Sequence, residues 1–281
     1  MAPRVPPYFD HLIAAFHAGV VGRLVHLGHW DEPPAPSGAD DFTAAQARLD
    51  ARVLGLAGLH PGQAVLDVGC GFGGTLAGVN AAHGAMDLVG VNVDPRQLGL
   101  CRGLVPRPGN RLRWVQADAC RLPFPGARFD RVLCIEALFH FASRRAFFQE
   151  ASRVLRPGGV LAISDITVSR RVLERGVPGA CIEALLVDGY GPWPDLWSQE
   201  GGHEDLAAAA GLACTARVDA TASTRPSHRH TAPPDLDPHR DPGSPTLRAA
   251  LVLRWLHEAG LLRYEYLAFR KPGPDARAPG R

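Results

Sequence analysis

Residues 65–75 read VLDVGCGFGGT, an apolar run that ends in an acidic residue and then in glycines closed into a short turn. Glycines after a strand let a ligand come close to the backbone. Gly69, Gly71 and Gly74 fit GxGxxG, a spacing that is weak evidence by itself. Asp67 narrows the choice: a carboxylate two residues before the first glycine repels a pyrophosphate but suits an ammonium group, directly or through water. Polar residues recur further on. GVNVDPRQL offers Asn92 and Asp94, and WVQADACRLPF offers Asp118. A side chain after a second strand is placed for ribose hydroxyls, and one after a third strand for an adenine amino group. CIEALFHF then carries Glu136 and His140, and AISDIT carries Asp165. Histidine has the intrinsic pKa of a general base near neutral pH, and a carboxylate can orient and charge-stabilise it.

The elements that position these residues follow from periodicity. Apolar residues at helical spacing (Phe9, Leu12, Ile13, Phe16, Val20, Leu24) predict a leading helix within 8–27, and 43–59 reads as a second helix. The Pro/Gly-rich 31–41 between them is a loop. Candidate strands at 64–68, 88–93, 112–116, 130–136 and 159–166 alternate with helices, which predicts a parallel sheet covered on both faces. Residues 170–211 read as mostly helical, 213–222 and 261–270 as two more strands, and 246–259 as a helix. The expected organisation is an N-terminal helical lid (1–42), a core (43–168), an insert with acceptor-side elements and closing strands of the same domain (169–272), and a tail (273–281).

Composition excludes some function classes. The net charge of +2 gives no broad field for nucleic acid or an anionic membrane. Lys271 is the only lysine, so the positive side is almost all arginine, a bias with no catalytic reading. The six cysteines are scattered, with no CxxC pair, which argues against a zinc site or a disulfide framework and for a reducing compartment. Asp10, His11, His17 and Arg23 interrupt the apolar N-terminal stretch, so no signal-peptide core or membrane span is expected and the location expected is cytoplasmic.

In order along the chain, VLDVGCGFGG, GVNVDPRQ, QADACRLPF, FDRVLCIEALFHF and VLRPGGVLAISD resemble the class I S-adenosylmethionine-dependent methyltransferases, in particular those acting on small natural products. The resemblance implies a Rossmann-like seven-stranded α/β sheet, mostly parallel with the last strand antiparallel, and S-adenosyl-L-methionine as cofactor, released as S-adenosyl-L-homocysteine. It also implies roles. Asp67, Gly69 and Gly71, with Cys70 between, would hold the methionine moiety. Asn92 stands where the family usually has an acidic ribose ligand, followed by Val93 and Gln97. Asp118 and the Ala119 amide would read adenine, and Gln46 sits where related enzymes contact the cofactor carboxylate. Each has a rival reading: a strand-end cap for Asp67, a helix N-cap for Asp118, and turn chemistry for Asn92-Val-Asp-Pro.

For the methyl acceptor, a hydroxyl would use His140 as base with Asp165 as its partner, a pairing similar to that of natural-product sugar O-methyltransferases, which often carry two adjacent histidines where this chain has Phe139 and His140. Glu136 would contact cofactor or substrate, or act as the base. An alkene or amine acceptor is the alternative; aromatic faces for an alkene's cationic charge are available at Tyr8, Phe9, Trp30, Phe139, Phe141, Tyr190, Trp193 and Trp197. HLGHWD and the insert at 170–200 are expected to form a lid, with Tyr8, Trp30, Phe139 and Trp193 on the substrate side; Gly28 as a helix C-cap is the rival for HLGHW. No Asn/Asp-Pro-Pro-aromatic tetrad follows the fourth strand and no Pro-Cys dipeptide occurs, so a nucleic-acid substrate is not expected. His228, His230 and His239, with Arg225, Arg229 and Arg240, suggest metal or phosphate binding, but a solvated loop is the preferred reading and no metal is assigned. A nicotinamide oxidoreductase and a binding-only homologue remain as other classes, and the oligomeric state stays open.

Overall fold

The computed structural model describes residues 5–6, 8–31, 42–176, 178–198, 202–232 and 244–273. Five strands follow the predicted alternation: β1 (Ala64–Val68), β2 (Asp87–Asn92), β3 (Arg111–Gln116), β4 (Phe129–Ile135) and β5 (Leu155–Ser169). The two-residue β6 (Trp197–Ser198), β7 (Ala213–Asp219) and β8 (Leu262–Arg270) complete the sheet. Its path runs β3-β2-β1-β4-β5-β8-β7, with β6 attached to β5. The first five strands pair in parallel, and β8 runs antiparallel to both β5 and β7. The sheet is therefore the mostly parallel Rossmann-like one expected, with its last strand antiparallel.

Every residue of β1 is buried, as a central parallel strand covered on two faces requires. On one face lie α2 (Phe42–Ala57), α3 (Gly74–Ala82), α6 (Gly179–Tyr190) and α10 (Pro245–Glu258), which bring Leu49, Val53, Leu76, Ile182, Leu186 and Leu256 into one apolar cluster. On the other face α5 (Arg144–Val154) and α7 (Gly202–Ala209) contribute Phe147, Phe148, Ala151 and Ala207. Helix α4 (Pro95–Cys101) begins at Asp94, whose carboxylate accepts from the Arg96 amide as an N-cap. Strand order reverses beside β1, which has β2 on one side and β4 on the other. Open α/β sheets bind ligands in the crevice at such a switch point.

Three expectations differ from what is observed. The leading helix α1 (Tyr8–His17) stops ten residues early, because Gly19 takes a left-handed φ of 71° that ends a helix, and Val20, counted as apolar periodicity, is 75% exposed. Gly28 lies far past that end and is no C-cap; a Cβ there would stand 2.5 Å from that of Ala45. The predicted loop over 225–245 is helical at its start: Arg225–Ser227 forms a 3-10 turn, and α9 (His228–Thr231) follows it after the short α8 (Thr221–Thr224). Ser227 and His228 are buried, and His228 Nε2 lies 2.9 Å from His257 Nδ1 of α10. His239 and Arg240 lie outside the described residues.

Candidate active site

The turn after β1 depends on glycine at two positions. Gly69 has φ 82° and Gly71 φ 51°, and a Cβ on Gly69 would stand 2.3 Å from the Ala137 Cβ of the segment after β4. The strand ends are this close because they flank the switch point. One cleft is lined by Asp67, Gly69, Cys70, Gly71, Asn92, Val93, Gln97, Asp118 and Ala119, all of them residues singled out in the sequence. Asn92 Nδ2 donates to Gln97 Oε1 at 2.8 Å, so the two amides are held as a buried pair. Asp118 turns its chain by accepting from the Cys120 amide through Oδ1. Asp94, offered by spacing as a second ribose ligand, is withdrawn from the cleft: it is fully buried as the cap of α4 and ion-paired with Arg96, which also reaches Asp10 on α1.

The donors at one end of the cleft fit an adenosylated amino acid. Asp67 Oδ2 and His26 Nε2 are both buried without a hydrogen-bond partner among the described residues, and both residues line the cleft. His26 Nδ1 stands 2.7 Å from the Leu27 carbonyl, which can only accept, so Nδ1 carries a proton and Nε2 is the free position. Burial, and secondarily the charge of Asp50, push the Asp67 carboxyl up to about 8. An unmatched carboxylate suits a ligand's ammonium, and the imidazole nitrogen beside it accepts from the same ammonium or, once protonated, donates to the ligand's carboxylate. Gln46 does not line this cleft. Its amide nitrogen donates to the carbonyls of Leu24 at 2.9 Å and His26 at 2.7 Å, so it holds the segment that carries His26.

A second cavity, with a mainly apolar lining, adjoins the first. It includes Phe139, Ile166, Tyr190, Trp193, Leu247 and Leu253, and it shares Tyr8, Leu12, Leu24, Val25, His26, Glu136 and His140 with the cleft. On that shared wall His140 Nδ1 faces the Pro192 carbonyl at 3.5 Å, and Nε2 accepts from the Tyr8 hydroxyl at 2.9 Å. Burial lowers the imidazole to about 4, so His140 is neutral at physiological pH. Glu136 is held in a left-handed backbone with φ 46°, a conformation that costs free energy in a non-glycine residue. Its Oε1 accepts from the Leu27 amide at 2.8 Å and from the Tyr264 hydroxyl at 2.6 Å. Burial raises its carboxyl above the usual range, against the opposing charge of His26 and these hydrogen bonds.

The pairing expected between Asp165 and His140 is not what the structure holds. Asp165 Oδ2 accepts from Arg144 Nε at 2.9 Å and pairs with His203 Nε2 at 2.8 Å. Burial works against its ionisation, but Arg144 and His203 outweigh it and keep the carboxyl below the usual range. Trp30 is corrected as well. It lines neither cavity: it is buried, donates to Ser227 Oγ, and stacks behind Phe42 and His230, which line the second cavity. Phe139 and Trp193 do face the second cavity, stacked on each other at 4.4 Å. Sequence reasoning missed His26, Arg144, His203 and Tyr264. His26 lies inside the quoted HLGHW and carried a signal; the other three are joined to the site by long-range contacts that no local spacing records.

Comparison with known proteins agrees with this geometry. A family model described as a methyltransferase domain matches residues 66–163. The chain is 34% identical over 207 residues to methyltransferase GfsG of Streptomyces halstedii, covering 72% of this chain and 70% of that one. It is also 34% identical over 163 residues to an O-methyltransferase of Pyrenophora dematioidea, a stretch that spans only 57% of that protein's length and 57% of this chain. In fold it is similar to a geranyl diphosphate C-methyltransferase from Streptomyces coelicolor A3(2), solved with Mg2+, a geranyl thiolodiphosphate and S-adenosylhomocysteine, with a TM-score of 0.70 over 96% of this chain and 100% of that one at 17% identity. With a glycine turn, an orphaned carboxylate and ordered strand-end ligands in one cleft, the chain belongs to the class I S-adenosylmethionine-dependent methyltransferases.

Proposed function

We propose that the protein methylates a hydroxyl of a small, largely apolar acceptor, with His140 taking the proton. The observation that carries this reading is the shared wall: Glu136 and His140 border both the cofactor cleft and the apolar cavity. Asp67 and His26 would hold the amino-acid end of the cofactor, Asn92 with Gln97 the ribose, and Asp118 with Ala119 the adenine. Bound there, S-adenosylmethionine supplies an electrophilic methyl group on a sulfonium, open to in-line displacement. The chain's own work is alignment, exclusion of water and removal of one proton. His140 is neutral with its lone pair at Nε2, now accepting from Tyr8. An acceptor hydroxyl would take over that hydrogen bond, and Nε2 would receive its proton as the carbon–sulfur bond of the methyl donor gives way to the new carbon–oxygen bond. Helix α1 brings Tyr8, Phe9 and Leu12 over the cleft as a cover.

A second reading rests on Glu136. Its Oε1 is taken by Leu27 and Tyr264, whereas Oε2 has no hydrogen bond among the described residues, and aromatic faces of Tyr8, Phe139, Tyr190 and Trp193 line the same cavity. A carboxylate beside aromatic faces suits an alkene acceptor, whose methylation builds carbocationic charge and then releases a proton. The test is transfer of labelled methyl into a mixed panel of hydroxylated, amine and prenyl-diphosphate acceptors, read by mass, with His140→Ala and Glu136→Gln alongside. The first reading expects label on oxygen and a turnover loss of about 10²- to 10⁴-fold in His140→Ala with S-adenosylhomocysteine binding kept. Label on carbon, or full turnover in His140→Ala, overturns it.

A further inference from the structure

Arg144 does not touch either of the residues that the reaction uses, yet it is 4% exposed and makes four directed contacts. Nε donates to Asp165 Oδ2 at 2.9 Å, and Nη2 to the Ile166 carbonyl at 3.3 Å. Nη1 donates to the carbonyls of Pro194 at 3.1 Å and Asp195 at 2.5 Å. Those carbonyls belong to the segment 191–196, whose ends are tied by Gly191 N to Val187 O and by Val168 N to Leu196 O while its middle is irregular. Pro192 and Pro194 lack amide donors, Gly191 has φ 83°, and Asp195 takes a left-handed φ of 54°. The same segment presents the Pro192 carbonyl to His140 and the Trp193 ring to Phe139. The Trp193 indole nitrogen has no hydrogen bond among the described residues, so none of these fixes the ring's height through a polar contact.

We propose that Arg144 and Asp165 are positioning residues that set the 191–196 wall of the acceptor cavity, and through it Trp193 and His140. Asp165 works one step removed from the chemistry: its charge, shared with His203, stabilises the buried guanidinium, and the guanidinium fixes two carbonyls at once. Only a planar fork does this. A lysine ammonium reaches the carboxylate or a carbonyl but does not span the set. A buried arginine is costly to desolvate, so the ion pair is better explained by what it holds in place than by stability gained. The cofactor cleft uses neither residue, which makes the role separable. It rests on the methyl-transfer reading only for the identity of the cavity's occupant.

The experiment uses the full chain with Arg144→Met and Arg144→Lys, each measured with and without a further Trp193→Phe change, so that subtraction isolates the Trp193 emission. Arg144→Met is expected to keep S-adenosylhomocysteine affinity within about twofold while Trp193 emission moves to longer wavelength as the indole meets water; an acceptor that the wild type methylates shows KM raised by about tenfold or more, with kcat less affected. Arg144→Lys is expected to fall between wild type and Met, and it carries the test if the Met variant does not fold. Unchanged Trp193 emission in either variant overturns the proposal, as does parallel loss of S-adenosylhomocysteine binding, which would make the network a general support of the sheet. If no acceptor is found, the emission result still decides this role, so failure of the methyl-transfer reading remains distinguishable.

Discussion

The cofactor side and the acceptor side of the site are built on different scales. Around β1, β2 and β3 the ligating turns are tied by neighbours in sequence: Asn92 to Gln97, Asp94 to Arg96, Asp118 to Cys120. Around the second cavity the partners are remote: Tyr8 with His140, and Leu27 and Tyr264 with Glu136. The cofactor side is thus a set of local turns docked onto a parallel sheet. The acceptor side exists only after the N-terminal segment, the insert and β8 have met. The two halves meet in one shared wall that includes Tyr8, His26, Glu136 and His140.

The largest effect that could break this division is expected from Gly69→Val. The residue needs φ 82° and has no room for a Cβ beside Ala137, so we expect S-adenosylhomocysteine binding to vanish and stability to fall by about 2–4 kcal/mol. Calorimetry and thermal unfolding check both; retained binding would show that the turn is not the site of ligand approach. Asp67→Asn should act more narrowly. It is expected to weaken S-adenosylhomocysteine about 10- to 100-fold but leave methylthioadenosine, which lacks the amino-acid end, within about twofold. Equal losses for both ligands would put Asp67 elsewhere than at the ammonium. The same residue sets a pH dependence. Its carboxyl is raised to about 8 in the free protein, and an ammonium partner draws that value down. Binding then releases up to about one proton, and affinity rises with pH toward 8. Calorimetry in buffers of different ionisation enthalpy reads the proton, and Asp67→Asn should abolish it.

These expectations rest on the part of the molecule that local sequence describes well. The five parallel strands fall within a residue or two of their expected bounds, except that β5 runs longer at both ends, and the residues singled out at the ends of β1, β2 and β3 line one cleft, because buried runs and glycine turns are short-range signals. Asp165 shows where that legibility ends. Its place on β5 is legible, but its partner is decided by Arg144 at the start of α5 and His203 on α7, and no spacing within AISDIT records them. Trp30 shows the same limit, since aromatic character does not tell a lid from a stack with Phe42 and His230. The N-terminal helix was overextended because 3.6-residue periodicity continued through glycines that end it.

The smallest expected effect concerns the paired histidines of α9 and α10. Burial lowers His228 to about 3 and His257 to about 4, well under the ordinary 6.5. Groups held neutral in the fold contribute stability that is whole above about pH 6.5 and is lost as pH falls from there, with a slope bounded by about 1.4 kcal/mol per pH unit for each group. Melting temperature should therefore drop between pH 7 and 5, and His228→Asn/His257→Asn should flatten that drop. Identical slopes in both proteins would remove this pair from the account of acid lability.

Arg96 joins two pieces that otherwise have little to do with each other. One end grips Asp94 at the cap of α4, and the other reaches Asp10 on α1, a helix with no buried residue of its own. Both the guanidinium and the Asp10 carboxylate are half or more exposed, and ions within a Debye length of about 8 Å at physiological strength weaken such a link. Helix α1 is thus tied down by an exposed ion pair as well as by the packing of Tyr8, Phe9 and Phe16 on Tyr190, His140 and Phe72. Of these ties only the ion pair weakens as salt is added, so ionic strength gives the surrounding medium a grip on this end of the molecule that apolar packing alone would not.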